Sequence, residues 1–146
     1  MIEYVYPRAT AQHRLGGKAV DIAMYIVTFG IGWLIWSLVV WGQGQTPGKQ
    51  IVKLRVYDKA NGQPVKWGHM AVREFLLPIA MTFALVPILI FSVIPVKAIQ
   101  LLAVLLMYLG ALGIHLVDAL WIFRKNEHNR MVDVFAKTDV LNESPN

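Results

Sequence analysis

Two acids in this chain sit among apolar residues, where an ionised side chain needs a reason to be. Asp21 lies near the start of the apolar block Ala19–Trp41, and Asp118 lies near the end of another. An ionised Asp at the centre of a bilayer costs roughly 2.5–3.5 kcal/mol on insertion scales, so such acids face a bundle interior or a wet cavity and mark ion or proton paths. His115 stands one helical turn before Asp118, with the small Ala111 on the same face. A His–Asp pair at that spacing either passes protons near neutral pH or makes a hydrogen-bonded structural contact. Asp21 has its own company: Arg14 and Lys18 share its helix face if helicity runs through Gly16 and Gly17. Two roles follow for it, an ion pair that fixes helix depth or a carboxylate on a substrate or proton path.

A third constellation, "WGQGQTPGKQ" from Trp41 to Gln50, invites comparison with a phosphate-binding P-loop. A P-loop needs Gly, four residues, then Gly-Lys and a hydroxyl residue, on a turn from strand to helix. Here Gln43 stands where the first Gly belongs and Gln50 where the hydroxyl belongs. The stretch also follows an apolar block and precedes a strand pattern. The nucleotide reading fails on spacing, hydroxyl and context. No other enzyme constellation appears: the serines lack a nucleophile-elbow context and there is no His-Glu-x-x-His pattern. With no cysteine, thiolate catalysis, disulfides and Cys-based metal sites are excluded. The reading is therefore a non-enzyme without cofactor or metal, since His115 and Asp118 alone make too few ligands for an ion.

The elements that position these residues are set by hydropathy. Of 146 residues, 56% are hydrophobic, and the mean hydropathy is +0.50. Phe75–Val96 and Ala98–Val117 contain no charged residue, and Ala19–Trp41 contains only Asp21. A run of about 20 apolar residues crosses a bilayer core as a helix, which implies an all-α, multi-pass membrane protein of one domain. Met1–Gly17 has no apolar core of the secretory-signal kind. The net charge of +5 then reflects basic residues gathered on the cytoplasmic side rather than nucleic-acid binding.

Along the chain we expect an interfacial arm over 1–18, with Tyr4 and Tyr6 at headgroup depth, then a block at 19–41 that either spans once or folds as a short helical hairpin at Gly30-Ile31-Gly32. A hairpin places every Lys and Arg except Lys97 on one face, whereas a single span sends Arg8, Arg14 and Lys18 to join Lys97. The hairpin obeys the positive-inside tendency better. The loop 42–73 reads as a small β-hairpin: Val52, Leu54 and Val56 alternate with polar residues, Asn61-Gly62 is a turn, and "QPVKWG" returns. Helices are expected at 74–96, kinked by Pro78 and Pro87, and at 97–123. The tail 124–146 is cytoplasmic, its basic tract at 124–130 suits acidic lipid headgroups, and "NESPN" frays.

These motifs together resemble the RDD family of small bacterial membrane proteins. Arg14 and Asp21 in "RLGGKAVD" match the family's arginine and first aspartate, and "GQTPGK" (Gly44–Lys49) its Gly-Gln-Thr-x-Gly-Lys loop. "LRVYDKANGQPVKWGHMAVRE" follows with Arg73, and "NRMVDVFAKTDVL" places Arg130, Asp133 and Thr138 at the closing pattern. The resemblance implies an inner-membrane protein, with transport of ions or small ligands suggested. It implies a cluster in which Arg14, Lys49, Arg73 and Arg130 meet Asp21 and Asp133, with Lys49 reaching back to one of those two acids. On function, we expect a small transporter or ion/proton exchanger, homo-oligomeric, using Asp118, His115 and Asp21. The alternative is an accessory subunit docking on a larger membrane complex through its hairpin, its basic face, and Gly110 and Gly113.

Overall fold

The computed structural model describes residues 4–124 and 128–144. Lys125 and the end of the "NESPN" tail lie outside the described residues. The first helix, α1 (Ala11–Val27), begins inside the expected arm because Thr10 caps it, its hydroxyl accepting from the His13 N–H at 3.3 Å. It stops at Phe29 and Gly30, both with positive φ, where the Gly30 N–H bonds back to the Tyr25 carbonyl at 2.7 Å. A Cβ on Gly30 would lie 2.8 Å from the Tyr25 ring, so the turn needs glycine twice over. Helix α2 (Ile31–Val40) then returns, and the Trp33 and Tyr25 rings meet edge-on at 6.0 Å. The block therefore forms a helical hairpin, not one continuous helix.

After a 3-10 turn at Trp41–Gln43 come the five-residue helix α3 (Pro47–Ile51) and strand β1 (Leu54–Asp58). The expected β-hairpin partner is corrected here. The Asn61-Gly62 turn forms, with Gly62 at φ 68°, but the returning segment makes only an isolated bridge, Tyr57 to Pro64. Pro64 has no N–H to give a ladder. The partner of β1 is β2 (Thr138–Asn142), antiparallel with Val56 opposite Val140. The far edge of β2 takes the N-terminal arm through Arg8–Leu141 and the Ala9 N–H to the Val140 carbonyl at 2.9 Å. Tyr4 accordingly packs on Tyr57 and donates to Asp139 at 3.1 Å. The core beneath this small sheet is Leu54, Val56, Val65, Met70, Val140 and Trp41.

The segment expected as one helix over 74–96 is broken. Helix α4 (Trp67–Ala71) passes through a π-turn (Val72–Leu76) into α5 (Leu77–Phe83), which ends before a 3-10 stretch at Val86–Val93. Pro87 cannot donate and clashes with a continuing α-turn, so bonding there tightens to the 3-10 pattern. Helix α6 (Lys97–Leu120) extends through a 3-10 turn to Phe123, 27 residues that include an 18-residue window of mean hydropathy 2.0, and leucines such as Leu101, Leu109, Leu112 and Leu116 stay exposed along it. At 1.5 Å per residue it is about 40 Å long, more than the roughly 30 Å of a bilayer core. Among the described residues it is the one helix long and apolar enough to cross. Leu85 seats over Gly110, where an added Cβ would lie 3.0 Å from the leucine, while a Cβ at Gly113 would meet nothing within 4 Å. The short α7 (Met131–Phe135) follows.

Candidate functional site

At the C-terminal end of α6, charged side chains from five elements meet in one network. Its centre is Asp133, the third residue of α7, which is fully buried. Its carboxylate accepts from the Arg73 Nε at 2.7 Å, from Arg73 Nη2 and Arg14 Nη2, and from the Arg130 N–H at 2.9 Å. Burial pushes the Asp133 carboxyl up, but Arg73, Arg14, Arg130 and the backbone donor outweigh it and hold it well below the usual carboxylate range. Arg73 comes from the π-turn, whose wider winding brings the consecutive side chains Arg73 and Glu74 both into the network. Arg14 also donates to the His128 carbonyl and reaches Asn129.

From this centre the network runs two ways. Through Arg73, Glu74 is bridged to Lys49, whose Nζ lies 2.9 Å from its carboxylate. Burial lowers the Lys49 ammonium, Glu74 raises it in part, and the balance is pushed down to about 8. Through α7, Asp118 of α6 accepts from Arg130 Nε at 3.0 Å and Nη2 at 2.8 Å, while its other oxygen accepts from the Val132 N–H at 3.0 Å. The end of the long apolar helix is thus tied to the tail by an acid that caps α7.

Asp21 is held differently. Its carboxylate accepts from Thr46 Oγ1 at 2.6 Å, the Gly48 N–H at 2.8 Å and Trp33 Nε1 at 2.9 Å, all uncharged donors. This explains the "GQTPGK" loop. Gly48 presents its backbone to α1 so closely that a Cβ would overlap the Gly17 carbonyl and sit 2.8 Å from the Asp21 carboxyl carbon. Thr46 caps α3 while donating to Asp21, and Pro47 takes the first helical position. The loop is a docking turn for α1.

Of the expected cluster, Arg14, Arg73, Arg130 and Asp133 come together directly. Lys49 joins through Glu74 rather than through Asp21 or Asp133, and Asp21 binds the loop apart from the arginines. Arg14 pairs with Asp133 and not with Asp21. Asp118, expected beside His115, is paired with Arg130, while His115 faces Thr82 at 3.4 Å. Glu74 was missed, although an acid next to Arg73 at the head of an apolar run is itself a signal that it needs a partner. Among the described residues no group of three His, Asp or Glu is placed to hold a metal ion.

Between α1, α5, α6 and α7 the network encloses a chamber of about 190 Å³. Arg14, Lys18, Lys49, Arg73 and Arg130 line it, against Glu74 and Asp118, with His115 on the α6 wall. Asp21 is not in the lining.

A helical hairpin, a small sheet joining loop and tail, and one long apolar helix anchored by a buried Arg–Asp network define a small membrane-associated protein. The RDD family model matches residues 2–137, and the chain belongs to the RDD family. No curated protein and no solved structure is similar enough to match.

Proposed function

We propose that this RDD protein is a small multi-pass transport unit of the cell membrane whose solute site is the charged chamber at the C-terminal end of α6. The observation that carries this reading is that His115 and Asp118, together with five cations, line one chamber. Charges are tolerated at the edge of an apolar helix where they pair or meet a wet cavity, and here they do both. In this reading Asp118 acts as a paired carboxylate: solute entry competes with its bridge to Arg130, which couples occupancy of the chamber to the seating of α7 on α6. Asp21 takes the structural role, setting the hairpin against the loop. Among the described residues, the Lys and Arg other than Lys97 lie in the arm, α1, the loop, the π-turn and the tail, which meet at the chamber end, and this supports a cytoplasmic position for that end and for the C-terminus.

One long helix does not enclose a pathway by itself. The uncovered apolar surface of α6 supports a homo-oligomer, or assembly into a larger membrane complex. The same surface, with the outward Leu34, Ile35 and Trp36 of α2, favours the second reading of an accessory subunit without transport. Solute and ion flux in proteoliposomes separates the two. The first reading expects flux that drops in His115→Gln, a residue whose weak Thr82 contact leaves folding intact. Absence of any flux, with a stoichiometric larger partner retained after gentle solubilisation, establishes the second.

A further inference from the structure

The chamber has a sign. Its lining brings five cations against Glu74 and Asp118, and Asp133 immediately behind it is the remaining acid bound to those cations. Counting all three acids leaves an excess of two positive charges. The pairings show where the excess sits. Arg14 and Arg73 share Asp133, Arg73 and Lys49 share Glu74, and Arg130 gives Asp118 two of its three guanidinium nitrogens, so one excess charge is spread over Arg14, Arg73 and Lys49 and the other is Lys18. Lys18, one turn along α1 from Arg14, is exposed, and its side chain makes no hydrogen bond or ion pair among the described residues, acting on Glu74 only at longer range. Between the charges the lining also carries apolar side chains, Leu15, Met81 and Ile122.

An excess of cations beside apolar side chains selects against a metal ion or a free proton and for an amphiphilic anion. We propose that the chamber binds the phosphate group of an ester whose other end is apolar, with Lys18 and the third nitrogen of Arg130 as its first contacts. A phosphate monoester carries roughly −1.5 to −2 charges at neutral pH, which matches the excess. Lysine is a common point-charge partner for phosphate, and arginine adds directional donors. The volume suffices as well, since about 190 Å³ is several times the roughly 30 Å³ share of one water. The ester has two possible sources, a phospholipid headgroup entering sideways from the bilayer and a soluble phosphate ester entering from water. This inference rests on the chamber being the solute site.

The test uses full-length protein in a neutral detergent. Thermal stability is followed against inorganic phosphate, with chloride at matched ionic strength, and native mass spectrometry follows retention of added phosphatidic acid against phosphatidylcholine. Each is repeated with Lys18→Gln and with Lys97→Gln, a lysine at the far end of α6. A soluble-ester site gives phosphate-specific stabilisation whose apparent affinity weakens about tenfold in Lys18→Gln, the loss of one charge-assisted hydrogen bond, and is unchanged in Lys97→Gln. A headgroup site gives selective retention of phosphatidic acid, lost in Lys18→Gln alone, without a response to inorganic phosphate. Either result supports the inference. Equal effects of chloride and phosphate together with unselective lipid retention, or equal losses in both lysine variants, overturn it. Proteoliposome flux keeps the two levels apart. Flux that falls in His115→Gln without phosphate binding leaves the transport reading standing and sinks this one. Phosphate binding without flux of any solute does the reverse.

Discussion

Arg14 in α1 and Asp133 in α7, 119 positions apart in sequence, meet as a buried ion pair that Arg73 shares. Three segments, α1, the π-turn and α7, are thus joined through one shared carboxylate. A buried ion pair is not in itself strong evidence of stability, but removing one partner leaves an uncompensated charge. Asp133→Asn leaves two arginines facing a neutral amide, and we expect a loss of about 3–5 kcal/mol, read as denaturant unfolding in detergent. Replacing Arg14 and Arg73 by Met together with Asp133→Leu should recover most of it. A triple variant as unstable as the single one would show that the charges themselves, and not their imbalance, hold the fold.

The acid limb of stability follows from the same carboxylate. The Asp133 carboxyl in the folded state lies below its unfolded value of about 3.9. Its contribution is thus fully present above that value and is lost as pH falls towards the lower folded one. Stability should be flat in this term from pH 7 to pH 5 and fall steeply below about pH 4. Asp133→Asn should lack that component, and an identical acid limb in the variant would remove Asp133 from the account.

Lys49 gives an alkaline component of opposite origin. Its folded value is pushed down to about 8 from 10.5 by burial. Between those two pH values the unfolded chain binds more protons than the folded one, so this group makes stability rise with pH. The unfolding free energy of the native chain relative to Lys49→Met should therefore increase between about pH 8 and pH 10.5. A difference that stays constant across this window would mean that the bridge to Glu74 holds Lys49 at its ordinary value.

How much of this was readable beforehand depends on distance along the chain. The hairpin turn at Gly30 was legible, because glycine and charge placement are local signals. The gathering of Arg14, Arg73, Arg130 and Asp133 was legible only through the family resemblance, which singled out these residues, with the added argument that buried charges need partners. Which ion meets which was not legible. Arg73–Asp133 and Arg14–Asp133 close over 60 and 119 positions, and residue type does not encode that choice. Asp118 looked like half of a His–Asp pair because His115 is a turn away, yet α7 offered both a guanidinium and a free N–H. The strand Thr138–Asn142 was read as tail because so short a segment, with an Asp inside it, has no pattern until β1 is placed beside it. The break at Pro87 was expected only as a kink; the helix runs through Pro78 but ends at Phe83, before Pro87.

Gly48 tests the purpose of the "GQTPGK" loop. A Cβ there collides with the Gly17 carbonyl and crowds the Asp21 backbone and carboxyl carbon, and backbone cannot move aside as a flexible side chain can. Gly48→Ala should cost about 1–3 kcal/mol, the range for overpacking, and should weaken protection of the Thr46 and Trp33 donors to Asp21. Gly42→Ala, where a Cβ meets nothing within 4 Å, should be near neutral by the same unfolding assay. Equal costs at the two glycines would mean that the loop needs flexibility and not close approach.

The pairings also constrain topology. The Ala9 N–H bonds to Val140, Arg8 bridges Leu141, and Arg14 pairs with Asp133. These contacts gather the N-terminal arm, the β1 loop and the tail at the chamber end of α6, with Val96 at the opposite end, and the proposed topology puts the two ends on opposite sides of the bilayer with the α1–α2 hairpin dipping in and returning. Since the chain has no cysteine, single introduced thiols report sidedness cleanly. Tyr6→Cys and Asn61→Cys should react with an impermeant thiol reagent from the same side, and Val96→Cys only from the other. Labelling of Tyr6→Cys together with Val96→Cys would require the arm to cross the membrane. That would separate Arg14 from Asp133 by the thickness of the bilayer and dismantle the network on which both the chamber and its proposed ligand depend.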